Sequence, residues 1–172
     1  MTKSSLQKLE DQLEVIETGS RPKKTMSLLG RAIRYLSYRE HSESEIRRKL
    51  QPHAQSEAEL DVTIAKLIEK NFLSNARFAD GLVTRKSKGL GVNRLVQEMR
   101  QHQIDKTTIT KHIKDLQPSE AKRAYEVWEK KFGELAQDPR DLAKQIRFLA
   151  SRGFDQDIIY QIVRGKTLDD SL

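Results

Sequence analysis

The chain has 172 residues, of which 36% are hydrophobic and 33% charged, with no cysteine and a net charge of +7. This length sustains one sizeable core or a short array of small units, and the lack of cysteine excludes disulfides, zinc–thiolate sites and thiol nucleophiles. Only 8 glycines and 4 prolines interrupt a composition rich in Lys, Arg, Glu, Gln and Leu, which favours helix; no alternating Val/Ile-rich run predicts a strand.

The positive charge is unevenly placed. Residues 21–50 carry nine basic against three acidic groups, and residues 77–101 carry six against two. The intervening and N-terminal stretches are slightly acidic. Two basic blocks of this kind suit a polyanionic partner, either nucleic acid or a protein–nucleic acid assembly. The N-terminus has no apolar core of the signal-peptide type, and no run of 18 apolar residues occurs. A cytoplasmic protein with no membrane contact is therefore expected, in keeping with the absence of cysteine.

Residues 1–26 read separately from the rest. Leu6, Leu9, Leu13 and Ile16 have the 3-4-3 spacing of a short amphipathic helix, too short to hold alone in water. Gly19 to Lys24 breaks that pattern. The segment is expected either to dock on the body or a partner, or to be a frayed tail.

A first unit spans residues 27–73. Leu29, Ala32, Ile33 and Leu36 predict a core-facing helical stripe. Ser42 and Glu45 form a capping box, with the serine accepting a free N–H of the new helix and the glutamate returning to the cap's own N–H. Ile46 and Leu50 follow on one face, and Pro52 stops the helix. Ser56 and Glu59 repeat the box before Leu60, Ile64, Leu67 and Ile68. Asn71 then sits where a chain leaving a helix turns left-handed, with Phe72 and Leu73 as the returning apolar plug.

A second unit spans residues 74–116. Ser74 caps a helix carrying Phe78, Ala79, Leu82 and Val83, and Gly81 within it suggests a close helix crossing. The loop from Lys86 to Gly91 leads to Val92, Leu95, Val96 and Met99. Asp105 caps a last helix with Ile109, Ile113 and Leu116. A third unit spans residues 117–164. Ala121, Ala124, Tyr125, Trp128 and Phe132 form one stripe, and Asp138-Pro139 reads as N-cap and first helical residue. Leu142, Ile146, Leu149 and Ala150 form the next stripe, with Gly153 as a left-handed C-cap. Asp155 caps a final helix with Ile158, Ile159, Ile162 and Val163. Residues 165–172 read as a polar tail.

The units begin about 45 residues apart, within the range of helical repeats, and no helix has enough apolar surface to stand alone. The expected fold is all-α: an elongated, curved array of three tandem three-helix repeats, preceded by the N-terminal amphipathic segment.

Catalytic signals are absent. His41, His53, His102 and His112 lack metal-ligand spacing. The carboxylate pairs Glu43/Glu45 and Asp155/Asp157 stand at helix starts, where capping and the helix dipole account for them. Gly89-x-Gly91 has neither a preceding strand nor the lysine of a phosphate-binding loop, so a turn between helices is the expected role. Arg85, Lys86, Lys88 and Arg94 nevertheless surround a helix N-terminus able to hold a backbone phosphate or an acidic side chain. Tyr35 and Tyr38 flank the first stripe, where packing is expected and stacking on a base is the alternative. No enzymatic activity and no cofactor or metal is expected.

Several motifs, in order, resemble the RecX family. The opening repeat is carried by Ala32-x-x-Tyr35-Leu36-Ser37-x-Arg39-x-x-Ser42-x-x-Glu45-Ile46-Arg47-x-Lys49-Leu50. Leu67, Phe72-Leu73 and Arg77-Phe78-Ala79 continue it, Gly89-x-Gly91-x-x-Arg94 resembles the second repeat's motif, and Arg147-Phe148-Leu149-x-x-Arg152-Gly153-Phe154 the third repeat's ending. The family more often has glycine at the position of Asn71, an aromatic at Leu90 and proline at Val92. The resemblance implies a modulator that binds the RecA–DNA filament in its groove, inhibits ATP hydrolysis and strand exchange, and so tempers recombination, DNA repair and the SOS response. A working monomer that touches the DNA phosphate backbone weakly and without sequence preference follows. The alternative from the residues alone is a direct DNA-binding regulator of helix-turn-helix type, with Arg47-Arg48-Lys49 on the docking helix. Partner-binding candidates are Arg31, Arg34, Arg39, Arg47, Arg48, Lys49, Arg77, Arg85, Lys86, Lys88, Arg94, Arg147 and Arg152.

Overall fold

A computed structural model describes residues 26–165; the N-terminal amphipathic stretch and the polar tail after Gly165 lie outside the described residues. The described chain is all helical, with nine α-helices and two 3-10 turns. They form three triplets. The first comprises α1 (Leu28–Tyr38), α2 (Glu43–Leu50) and α3 (Glu57–Glu69). The second comprises α4 (Asn75–Lys86), α5 (Val92–Gln101) and α6 (Lys106–Leu116). The third comprises α7 (Glu120–Lys131), α8 (Pro139–Ser151) and α9 (Gln156–Val163). No described helix is long and apolar enough to cross a membrane.

Each triplet closes its own core. Ala32, Ile46, Leu50, Leu60, Ile64, Leu67 and Leu73 fill the first; Phe78, Leu95, Met99 and Ile109 centre the second; Trp128, Leu149, Phe154 and Ile159 centre the third. Helices of eight to thirteen residues hold only because each buries its stripe against two neighbours. The indole N–H of Trp128, buried with its ring, donates to Gln145 Oε1 at 2.9 Å, and Gln145 in turn donates to the Glu134 carbonyl. No polar group is stranded there.

One local device recurs at three chain reversals. Asn71, Gln103 and Gly153 adopt left-handed φ of 57°, 57° and 76°. An apolar residue then folds back, its N–H donating to a carbonyl of the last helical turn: Leu73 to Leu67, Ile104 to Met99, Phe154 to Leu149. An N-cap follows at once. Ser74 accepts from Arg77 N–H, Asp105 from Thr108 N–H and Asp155 from Asp157 N–H. The sequence pattern left-handed residue, apolar residue, cap thus fixes how consecutive helices meet.

Several side chains depart from the sequence expectation. In α1 Leu28 and Ala32 are buried and Leu29, Tyr35 and Leu36 pack against the same core, whereas Ile33, expected on that stripe, is 42% exposed. Phe72 is 49% exposed, and Leu73 alone is the plug. Ile68, Tyr38 and Ala150 also face outward. Gly81 marks no helix crossing: the space beside its Cα is covered by the guanidinium of Arg85, one turn on. In the first capping box Ser42 accepts from Glu45 N–H at 3.1 Å, but the glutamate does not return to the cap. Its carboxylate is held by Arg39 at 3.1 and 2.5 Å.

The first two triplets meet through the start of α2. Ser42 Oγ lies 3.0 Å from His102 Nδ1, Ser44 Oγ donates to the His102 carbonyl, and Glu43 N–H donates to Asn75 Oδ1. His102 packs on Phe78 with ring centroids 4.6 Å apart. Burial pushes both His41 and His102 below the usual histidine range. Their folded values lie below the unfolded ones, so their contribution to stability is complete above the unfolded value near about 6.5 and is lost as pH falls below it. At Glu45, burial pushes the carboxyl up, but the hydrogen bond from Arg39 and the charges of His41, Arg39 and Lys49 together outweigh it. The net depression makes its contribution disappear only lower, below the ordinary carboxylate value of about 4.3. Urea midpoints are therefore expected to be flat above about pH 7 and to decline between about pH 6.5 and 5. His102→Asn should flatten part of that decline, and an unchanged slope would exclude His102 as a contributor.

Candidate functional site

The second and third triplets meet differently, backbone against backbone. Gly91 N–H donates to the Arg152 carbonyl at 2.9 Å and Asn93 N–H to the Gly153 carbonyl at 3.2 Å. A Cβ on Gly91 would fall 2.2 Å from the Gly153 carbonyl oxygen, and one on Gly153 would fall 2.4 Å from Arg94 N. Only two glycines admit this approach. Buried Glu120 accepts from Val92 N–H at 2.9 Å, so the third triplet supplies the N-cap that Gly91 lacks. Burial raises the Glu120 carboxyl, against the opposing hydrogen bond from Val92 and the charge of Arg123.

Arg123 completes the joint. It donates to the carbonyls of Ser87 and Leu90, each at 2.7 Å, and to that of Leu116 at 3.2 Å. Ser87 and Leu90 follow α4 and Leu116 is the last residue of α6, at helix ends that leave carbonyl acceptors without intrahelical partners. Arg123→Met removes these three hydrogen bonds together with one from Nε to Ser119 Oγ and is expected to cost about 2–3 kcal/mol, read as a shifted urea midpoint. A change below about 0.5 kcal/mol would mean that water replaces the guanidinium.

Over this joint opens a groove of about 940 Å³. Three helices end at it. Arg85 and Lys86 close α4, Lys130 and Lys131 close α7, and Arg152 is the C-cap of α8. Cations are favoured at such ends, where the helix dipoles are negative. Lys88 from the α4–α5 loop and Arg94 from α5 bring the lining to seven cationic side chains, with Glu98 the one carboxylate. Lys86 Nζ donates to Glu98 Oε2 at 2.6 Å, and Arg94 Nε lies 3.9 Å from Glu98 Oε1. Arg85, Lys88, Lys130 and Lys131 form no ion pair among the described residues. The floor is apolar, with Leu90, Val127 and Phe148, and the Arg152 guanidinium lies over the Phe148 ring at 3.9 Å.

The phosphate-cradle expectation for this loop needs correction. The amides of Gly91, Val92 and Asn93 are all engaged within the protein. The helix N-terminus is thus closed to a ligand, and the side-chain cations alone remain available.

Of the thirteen sequence candidates, the groove gathers five: Arg85, Lys86, Lys88, Arg94 and Arg152. Arg147 is exposed on α8 one turn before the groove residue Ser151. Arg39 is held by Glu45, Arg47 by Glu57 and Asp61, and Arg77 by Glu40, Asn71 and the Phe72 carbonyl. Lys49 lies over the Tyr35 ring at 4.9 Å. Arg34 and Arg48 are exposed and Arg31 half-buried, on the first triplet and away from the groove lining. Lys130 and Lys131 were missed by sequence reasoning, although two lysines closing a helix just ahead of Phe132-Gly133 were a legible signal. No group of three or more His, Asp or Glu side chains converges as a metal site among the described residues.

Comparison with known proteins places this geometry. Three family models match in order: "RecX, first three-helix domain" over residues 29–67, the second over 74–112 and the third over 119–163. The chain is 43% identical over 144 residues to "Regulatory protein RecX" of Ralstonia pickettii, covering 84% of this chain and 91% of that protein. It is 42% identical over 151 residues to the protein of the same name in Ralstonia nicotianae, covering 87% and 95%. The fold is similar to the crystal structure of RecX from Lactobacillus salivarius, with a TM-score of 0.65 at 20% identity over 81% of this chain and 94% of that one. With three models spanning most of the described residues, this chain belongs to the RecX family of regulatory proteins.

Proposed function

We propose that the chain is a non-enzymatic regulator that binds the RecA–DNA filament and inhibits its ATPase and recombinase activity, thereby modulating recombination and repair. The basic groove between the second and third triplets is the main contact. It takes acidic protein surface and DNA phosphate on the filament, and the working species is a monomer. The observation that carries this reading is the convergence of seven cations, five of them from three helix ends, on one apolar-floored groove. Surface cations scattered by solubility alone have no reason to meet in this way.

Direct duplex reading by α2 is disfavoured. A recognition helix uses its N-terminal residues on the base edges. Here Ser42, Glu43 and Ser44 pack against His102 and Asn75, and Arg47 is tied to Glu57 and Asp61.

The test is a titration of the chain against RecA filaments on single-stranded DNA, followed by ATP hydrolysis. Hydrolysis is expected to fall with added protein, and the inhibition to weaken about tenfold or more between 50 and 200 mM salt if several ion contacts are made. Unchanged hydrolysis at saturating protein would overturn the proposal.

A further inference from the structure

The groove needs a ligand with two properties. Its rim of cations calls for several anionic groups, and its floor of Leu90, Val127 and Phe148 calls for apolar surface beside them. With the adjoining backbone amides engaged, recognition rests on Lys and Arg side chains, which accept carboxylates as readily as phosphates.

The chain carries such a ligand in its own sequence. Residues 9–17, LEDQLEVIE, contain four carboxylates and no cation. Leu9, Leu13 and Ile16 are spaced for one helical face, and Glu10, Glu14 and Glu17 fall along its edge. We propose that this segment docks in the groove of the same chain. Its apolar stripe covers the floor, and its carboxylates meet Lys88, Arg94, Lys130, Lys131 and Arg152 on the rim. The docked segment is an internal polyanion mimic that a filament must displace. The docking stands on charge and apolar complementarity alone; the competition rests on the function proposed above.

Ser42, just beyond α1, touches His102 at the end of α5. The groove residue Arg94 lies two turns back along that helix. Along α1, residues 39–42 and the end of α5, the path from Met26 to the groove adds up to at most roughly 55 Å, and the straight-line span is shorter. The nine steps from Glu17 to Met26 extend to about 30 Å.

The chain has no cysteine, so a Ser5→Cys variant of the full chain accepts a single nitroxide. Amide spectra of the isotope-labelled protein should show paramagnetic broadening at Lys88, Arg94, Lys131 and Arg152. The broadening should vanish when Glu10→Gln, Asp11→Asn, Glu14→Gln and Glu17→Gln are added. Absence of broadening at the groove overturns the docking, and broadening that survives those four changes overturns recognition by charge. A mixture of nitroxide-bearing unlabelled chain with isotope-labelled chain lacking the nitroxide should show no effect. Broadening of equal strength there assigns the segment to a second copy and overturns the same-chain proposal. The four-fold neutral variant should also bind a thymidine oligonucleotide roughly three- to tenfold more tightly, as expected when a competing state is removed. Unaltered oligonucleotide affinity in that variant, with broadening present in the parent and lost in the variant, supports the docking and counts instead against the groove as the polyanion site.

Discussion

Replacing Arg85, Lys86, Lys88 and Arg94 together by glutamine is expected to weaken inhibition of the RecA ATPase by about ten- to a hundredfold, with the fold intact. The four side chains line one groove. Each ion contact to a polyanion contributes on the order of 0.4–0.7 kcal/mol, and four of them sum to about one to two decades in affinity. The cost to stability is small, within about 1 kcal/mol, because the pairs lost are surface pairs centred on Glu98. A variant with Lys66, Lys70, Lys111 and Lys114 replaced by glutamine loses the same net charge from exposed positions outside the groove. It should inhibit nearly as well as the parent. Equal loss in both variants would reduce the effect to net charge and remove the groove from the account.

Gly153→Ala is expected to be among the most damaging methyl additions at the described glycines. The residue has φ of +76°, which an alanine adopts only with strain, and the added Cβ would sit 2.4 Å from Arg94 N and 2.5 Å from Arg94 Cβ. Left-handed backbone costs about 1–2 kcal/mol, and forced overpacking against backbone costs about 1–3 kcal/mol more. A loss of about 2–5 kcal/mol in urea unfolding is expected, together with weaker filament binding, since the second and third triplets can no longer close the groove between them. Gly89→Ala is the paired control. Nothing lies within 4 Å of its added Cβ, so it should change stability by no more than about 0.5 kcal/mol. Similar effects at the two glycines would mean that the Gly91–Gly153 contact does not hold the triplets together.

The helices and their caps were legible because their signals are local. Ser42, Ser74, Asp105, Asp138 and Asp155 each bond within three residues of themselves, and apolar spacing marks the stripe they introduce. Errors of one position, as at Ile33 beside buried Ala32 and at Phe72 beside Leu73, arise where two apolar residues adjoin and only packing chooses between them. The joints between triplets were not legible. That Gly91 meets Gly153, that Glu120 caps α5, and that Arg123 serves the carbonyls of Ser87 and Leu90 all depend on how one triplet is turned against the next. No spacing rule encodes that angle.

The same reason divides the candidate cations. Sequence counts charge but does not see partners. Arg39, Arg47 and Arg77 looked like Arg85 and Arg94, yet each closes an internal ion pair formed by residues six to thirty-seven positions away. Basic charge in residues 21–50 and 77–101 reads as suited to a polyanionic partner. The repeats that supply it at the groove are the second and third, through Lys130, Lys131 and Arg152, and not the first.

The most direct measurement of the central claim is hydrogen exchange of the chain with and without RecA filaments on single-stranded DNA. Binding through the groove predicts slowed exchange in the segments 85–94, 127–131 and 148–152, and little change along α1 and α2. Protection confined to residues 31–49, with the groove segments unchanged, would contradict it.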